Sequence, residues 1–483
     1  MTKKLLYIIL LSFVNIFFPI LSFPYASHIL GPVGIGKVQF VVSLVQYFSI
    51  FAALGIPVYG IREVAKHKQD PKELSVVFTE LTVIYFISSM LIAGIYLAII
   101  YFFPFFNADR RLFLGGGLLI LLSFSFTDWF YSGLEEFKGI TIRSIIIKLI
   151  SLLFLYLFVK HPDDYYYYLF IVLFSILGNQ ILGFGMVFKK TRFNFSAVNL
   201  KRHLNPLFYL FSGTIAASIY SYLDTVLLGL LSTEESVGLY TASVKLVKIS
   251  IPIINSMGIL MIPVLSNSFA NNHTDKIREQ LGNSFNFLVF LSIPVCVGFI
   301  LLAPECLLIF SGKAFLSATL SMQVLALLPV LIGFGHLFCF QILMPAGKNK
   351  EIFLSTVLGV FVCLILNFIL VPILNELGAS IANVVTELTV TATYFYFISK
   401  HFSFSYNWRF LNQCIISSLV FIPAVLLIRQ FSTDALPTLI ISVIICGLLY
   451  LFIQLVLLKN RFLIGFIKPL KNKFLPDQPS KDE

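Results

Sequence analysis

Charge is scarce in this 483-residue chain: 12% of residues are Asp, Glu, Lys or Arg, against 58% that are hydrophobic. A soluble domain carries about 25% charged residues and about 45–50% apolar ones. The 52 phenylalanines alone are more apolar surface than a soluble fold of this length can bury, so the excess has to face lipid. Cysteine is limited to Cys296, Cys306, Cys339, Cys363, Cys414 and Cys446, all in the C-terminal half and inside apolar runs. None forms a CxxC pair or has a histidine at metal-ligand spacing, which excludes a metal site of that kind and leaves the cysteines as small packing residues. A Walker A loop, HExxH, GxSxG and a Gly-rich dinucleotide fingerprint are all missing, so the sequence implies no catalytic residues, no cofactor and no ATP hydrolysis of its own. The net charge of +11 is spread between apolar runs rather than gathered on a domain, which argues against nucleic acid as a partner.

What is abundant is hydrophobic runs of membrane length. A helix crosses roughly 30 Å of hydrocarbon with about 20 residues. On that basis the chain divides into fourteen spans, at 5–30, 36–61, 79–103, 112–132, 140–159, 164–188, 207–231, 237–265, 285–310, 317–344, 352–371, 378–398, 410–429 and 437–457. The first run follows Lys3 and Lys4 like a signal peptide, but it is too long for one and reads as a membrane span. With both termini in the cytoplasm, the inner segments hold 25 of the 34 Lys and Arg and the outer loops hold four, Arg110, Arg111, Lys160 and Lys313. That bias obeys the positive-inside rule. No outer loop is long enough for a catalytic domain.

The polar stretch 189–206 divides the first twelve spans six and six, giving a bundle over 1–188, a linker over 189–206, a second bundle over 207–400, two further helices over 401–457 and a basic tail over 458–483 expected on anionic lipid. A weak repeat supports the division: Val33-Gly34-Ile35-Gly36-Lys37 and Val237-Gly238-Leu239-Tyr240 each open a span after a tight hairpin, about 202 residues apart. The expected fold is all-α, with two six-helix bundles in pseudo-twofold relation around a central cavity, working by alternating access.

Ionisable groups inside spans cost about 2.5–3.5 kcal/mol each on insertion scales and are functional candidates by default. Lys245 and Lys248, three residues apart on one helix face, fall near the membrane midplane with Pro252 following. Asp224, Lys148 and Glu387 lie at depth in other spans. An ion pair with Asp224 satisfies Lys245 but leaves Lys248 and Lys148 without an evident acid. Such lysines suit a hydrated cavity that receives a phosphate or pyrophosphate; for Lys148 the alternatives are snorkelling or a partner such as Glu387. His28, ending the first span, is either an interfacial histidine or a group titrating near neutral pH. Asp128, near the inner end of span four, has Arg143 or Arg62 as partners for a structural clamp, while Trp129 and Tyr131 fit an interfacial aromatic belt.

Several segments, in order, resemble one family. They are residues 23–32 (FPYASHILGP), 60–65 (GIREVA), 128–135 (DWFYSGLE), 222–229 (YLDTVLLG), 237–240 (VGLY) with Lys245, 346–350 (AGKNK) and 378–387 (GASIANVVTE). Together they resemble the polysaccharide flippases of the multidrug/oligosaccharidyl-lipid/polysaccharide exporter superfamily, from residue 20 to about 400. The resemblance implies two six-helix bundles plus two helices, and a substrate of undecaprenyl-pyrophosphate carrying an O-antigen or other sugar repeat unit. It also implies a bacterial inner-membrane location, with membrane lipids, a polysaccharide polymerase and chain-length machinery as partners. Many relatives have Arg where this chain has His28, so a phosphate-holding role there becomes weaker or pH-dependent.

Three readings compete. A cation-coupled multidrug exporter of the same superfamily favours acids in its cavity, whereas here the first span has none and the mid-depth charges lean basic. A lipid II flippase obeys the same physics as the oligosaccharide flippase. A membrane glycosyltransferase or polymerase needs acidic catalytic groups near a large outer loop, and neither is visible.

Overall fold

The computed structural model describes residues 2–196, 198–271, 273–402, 406–432, 434–460 and 462–463, without the side chains of 2–5, 209, 210 and 212–221. The tail beyond 463 lies outside the described residues. Among them there is no strand. The helices are α1 (Thr2–Ala53), α2 (Ile56–His67), α3 (Pro71–Phe102), α4 (Arg110–Leu121), α5 (Asp128–Gly133), α6 (Phe137–Phe158), α7 (Tyr165–Val187), α8 (Lys201–Leu231) and α9 (Glu234–Lys248). They continue as α10 (Ile251–Ala270), α11 (Thr274–Leu301), α12 (Ala303–Phe310), α13 (Thr319–Leu325), α14 (Leu328–His336), α15 (Asn349–His401), α16 (Trp408–Leu419), α17 (Phe421–Phe431) and α18 (Ala435–Phe452). Among the described residues, eleven helical stretches are long and apolar enough to cross a membrane. Their outer faces are apolar too: Phe102, Phe431 and Ile373 are 75, 84 and 72% exposed. Side chains of that kind in such number are stable only against lipid, and the protein is a multi-pass membrane protein.

Two of those stretches are too long for one crossing. At 1.5 Å per residue, a 52-residue helix is about 78 Å long. Each is broken by one residue. Gly31 has φ 65 and ψ −177 inside α1, a conformation that glycine alone takes without strain, and Pro32 starts the next helical segment with the N–H it lacks being one the helix would leave unpaired. In α15 the break is Asn375, at φ 51 and ψ −126, and its Oδ1 accepts a 2.7 Å hydrogen bond from Ser232 Oγ at the end of α8. The expected break at Gly31-Pro32 is thus present as a non-helical joint between two helical segments.

Several expected spans are segmented. Span eight divides into α9 and α10 at Ile249 and Ser250, with Pro252 in the first turn of α10. Span thirteen divides into α16 and α17 beside Pro423. In both, the missing proline N–H removes a rung of the helix ladder. Residues Leu337–Leu343 form a π-helical turn after α14.

The chain forms two compact units. Among the described residues, the first comprises those within 2–242, 310–317 and 360–382; the second comprises those within 243–309, 318–359 and 383–463. In the first unit, α2, α3 and α5 share a core of Ile56, Phe78, Leu81, Trp129 and Phe130. The two halves of the sequence repeat also meet there. A Cβ on Gly36 would fall 1.7 Å from the Glu234 carbonyl oxygen, and one on Gly238 would fall 1.9 Å from the Pro32 carbonyl oxygen. Pro32 lies four residues before Gly36, and Glu234 four before Gly238. The crossing is reciprocal, with backbone against backbone, and only glycine fits at either position. In the second unit, α11 packs on α10, α14 and α16 around Leu281, Phe285, Leu337 and Phe410.

Candidate functional site

In the first unit the structure brings Asp128 and Arg143 together. The Arg143 guanidinium, 3% exposed, donates to the Asp128 carboxylate and to Asn179 Oδ1, and lies over the Tyr131 ring at 5.8 Å. Its Nη1 is buried without a hydrogen-bond partner, so the carboxylate is the counter-charge that keeps this cation inside. Arg62, the other expected partner, is exposed and has no ion pair among the described residues. Trp129 and Tyr131 are 2 and 3% exposed. They do not form an interfacial belt: Trp129 stacks near Phe78, its Nε1 donates to the Phe126 carbonyl, and the Tyr131 hydroxyl donates to the Gly183 carbonyl. Two of the family-like segments therefore pack on each other, with Trp129 over Gly60 and Val64 against Gly133.

Lys148, half-buried, donates to Asn15 Oδ1 and lies 5.7 Å from the Phe18 ring centroid. An amide and an aromatic face, rather than an acid, hold this ammonium among the described residues. His28 is exposed, with Nδ1 2.8 Å from the Pro24 carbonyl and the ring beside Gly312. With Nδ1 fixed on the backbone, Nε2 lies on the Gly312 side, 3.5 Å from where a Cβ on that glycine would sit.

Asp224 is 3% exposed. Its Oδ1 accepts from Asn367 Nδ2 at 2.8 Å and from Cys363 Sγ at 3.2 Å, and its Oδ2 accepts from the Tyr240 hydroxyl at 3.4 Å. Helices α8, α9 and α15 thus meet on one carboxylate. Asn367 Oδ1 is buried without a partner, an acceptor left idle beside the acid. Cys363 does more than fill space, which its setting in an apolar run did not suggest.

In the second unit Lys245 and Lys248 occupy the last turn of α9, both half-buried. The negative end of a helix macrodipole stabilises a cation by about 0.3–1 kcal/mol, less than burying one costs. Lys248 makes no hydrogen bond or ion pair among the described residues. Glu387 is 8% exposed. Arg429, at the end of the expected span 410–429, is held by Glu305 through two hydrogen bonds at 2.7 and 2.8 Å and by the Leu301 carbonyl.

Two ionic groups escaped the sequence reading. Lys37 pairs with Asp109 at 2.8 Å and Glu234 at 3.7 Å beside the Gly36–Gly238 crossing, and its ammonium faces Tyr165. Glu80, wholly buried, pairs with Arg202 and His203 of the first turn of α8. Burial works against the Arg202 charge, yet its bonds to Glu73 and Glu80 hold its pKa above the ordinary value. No sequence signal marks Glu80, whose partners lie more than a hundred residues away.

Among known proteins, a protein of Shigella dysenteriae described as an O-antigen transporter is 24% identical over 396 residues, covering 81% of this chain and 98% of that one. The lipid II flippase MurJ of Bacillus subtilis is 28% identical over 211 residues, 41% of this chain and 38% of its own. Among solved structures, a lipid II flippase MurJ in an inward closed conformation superposes with a TM-score of 0.66 at 15% identity, over 96% of this chain and 99% of that one. An inward-facing multidrug resistance MATE transporter of the MOP superfamily gives 0.60 at 14% identity, over 79% and 93%. These likenesses give the fold. The family described as polysaccharide biosynthesis protein matches residues 1–269, more than half of the chain. The chain belongs to that family.

Proposed function

We propose that this protein is a flippase that moves undecaprenyl-pyrophosphate-linked oligosaccharide repeat units from the inner to the outer leaflet of the bacterial plasma membrane. The observation that carries the reading is the near end-to-end similarity to proteins described as O-antigen transporters, covering 81% of this chain and 98% of the relative. The cargo explains the chemistry. A pyrophosphate-sugar head cannot cross hydrocarbon, whereas its lipid tail need not leave it. Lys248 and Lys245 are the residues we assign to the anionic head, and Lys148 and His28 are each a separate candidate contact for it. The cycle is alternating access, with the head bound from the inner leaflet and released outward. Proton or sodium coupling runs through Asp224 or Glu387, or the flow is downhill, fed by synthesis inside and consumption outside.

The topology we propose has fourteen crossings, two six-helix bundles and both termini cytoplasmic. Counting each kinked helix, α1 and α15, as two crossings raises eleven apolar stretches to thirteen. The 31-residue α8 supplies the fourteenth. A second reading, lipid II as cargo, draws on the 28% identity to the Bacillus flippase, and a multidrug exporter draws on the MATE fold. The test is reconstitution into liposomes with lipid-linked repeat units, lipid II, or a cationic dye. Movement of repeat units alone supports the reading. Movement of lipid II or dye alone replaces it.

A further inference from the structure

Glu80 is a carboxylate on α3 with no exposed surface, and all its described donors come from one short stretch of chain. The Asn199 N–H donates to Oε1 at 2.6 Å; Arg202 Nε, Arg202 Nη2 and His203 Nε2 meet Oε2 at 2.9, 2.5 and 2.8 Å. Arg202 Nη1 reaches Glu73 Oε1 at 2.8 Å, two turns away on the same helix. With the His203 proton on Nε2, its Nδ1 accepts from the Tyr59 hydroxyl of α2, 2.8 Å away. Upstream the fastening continues. The Ser75 and Thr191 hydroxyls are 2.8 Å apart, Phe193 stacks on Phe78, and the Asn194 N–H donates to Thr79 Oγ1 at 2.8 Å.

We infer that residues 191–196 and 198–203 are a fixed strap, docked on α3 through the whole transport cycle, and that Glu80 is the residue that positions it. A polar connection of this length is ordinarily a flexible tether between the bundles it joins. Here its release would strand a buried anion whose described donors all sit on the strap, the costliest state for such a group. The first turn of α8 is therefore carried by α3, and movement of the later helices is taken up beyond it. The first backbone position able to yield is Pro206, which cannot bond the Arg202 carbonyl. Docking itself holds for any cargo; its persistence through transport rests on the flippase reading.

The test uses the full-length protein in liposomes, in a background that keeps the buried Cys363 and replaces the other five native cysteines. Thr191→Cys, whose parent side chain is buried, should react slowly with a maleimide, at a rate unchanged by substrate. Glu80→Ala should raise that rate at least tenfold, and Arg202→Lys, which keeps the charge but loses the two-pronged bond, should raise it severalfold. A disulfide between Ser75→Cys and Thr191→Cys should leave transport within twofold of the reduced protein. Transport abolished by the disulfide and restored by reductant would mean that the strap lifts in every cycle, and the inference falls. Labelling unaffected by Glu80→Ala and Arg202→Lys would show that Glu80 is not the anchor. Absent transport in the reduced protein would count against the flippase reading, while the labelling rates still decide docking.

Discussion

Removing Asp128 leaves the Arg143 guanidinium buried, with Asn179 as its described side-chain partner and Nη1 already idle. Breaking a buried pair from one side costs about 3–5 kcal/mol, whereas replacing both partners with apolar groups of similar volume is often nearly neutral. Asp128 is 28% exposed, which puts the loss at about 3 kcal/mol on that scale. Asp128→Ala is therefore expected to lower the thermal midpoint and the folded yield in detergent, and Asp128→Leu with Arg143→Met to recover most of both. Equal damage from the double change would contradict the clamp. Asp128 and Arg143 were legible in the sequence because an ionisable residue stands out against an apolar run. Glu80 was not, since it sits beside Thr79 at the edge of the expected span, and its partners lie more than a hundred residues away. Sequence spacing carries no information about such a contact. Nor could an apolar neighbourhood reveal that Cys363 bonds Asp224.

At the level of helices, the sharpest constraint is the crossing of Gly36 and Gly238. The atoms that an added methyl group would strike are backbone carbonyl oxygens, which cannot rotate away as a side chain can. Overpacking costs about 1–3 kcal/mol, occasionally more, and here both helices must move apart. Gly36→Ala and Gly238→Ala are each expected to cost at least that much, read as a lowered thermal midpoint. They should also weaken the Lys37–Glu234 contact beside the crossing, so that adding Lys37→Ala to Gly36→Ala costs less than Lys37→Ala alone. Full additivity would show that the two features are independent. The repeat that marks this crossing was visible as two short Val-Gly motifs, and helices flanking prolines could be read from the missing N–H. The kink at Asn375 and the π-helical turn at Leu337–Leu343 could not, because each is set by packing against distant segments.

Across the whole molecule, the membrane character was written in composition, and the proposed inner and outer faces rest on the 25 to four bias of basic residues. The proposed topology puts Lys160 outside and Lys350 inside. A single cysteine at 160 should react with an impermeant maleimide added to intact cells, and one at 350 only after the membrane is opened; the reverse pattern would invert the protein. The central claim concerns cargo, and its most direct measurement is mass spectrometry of undecaprenyl-pyrophosphate-linked oligosaccharide in lipid extracts. Cells with the protein, without it, and without it but complemented by wild type or Lys248→Ala would be compared. The account predicts that complete repeat units accumulate on the lipid when the protein is absent. Wild type should clear them, whereas Lys248→Ala, expressed normally, should not. Surface polymer made at the normal rate, with no accumulation in cells shown to hold no second flippase, would contradict it.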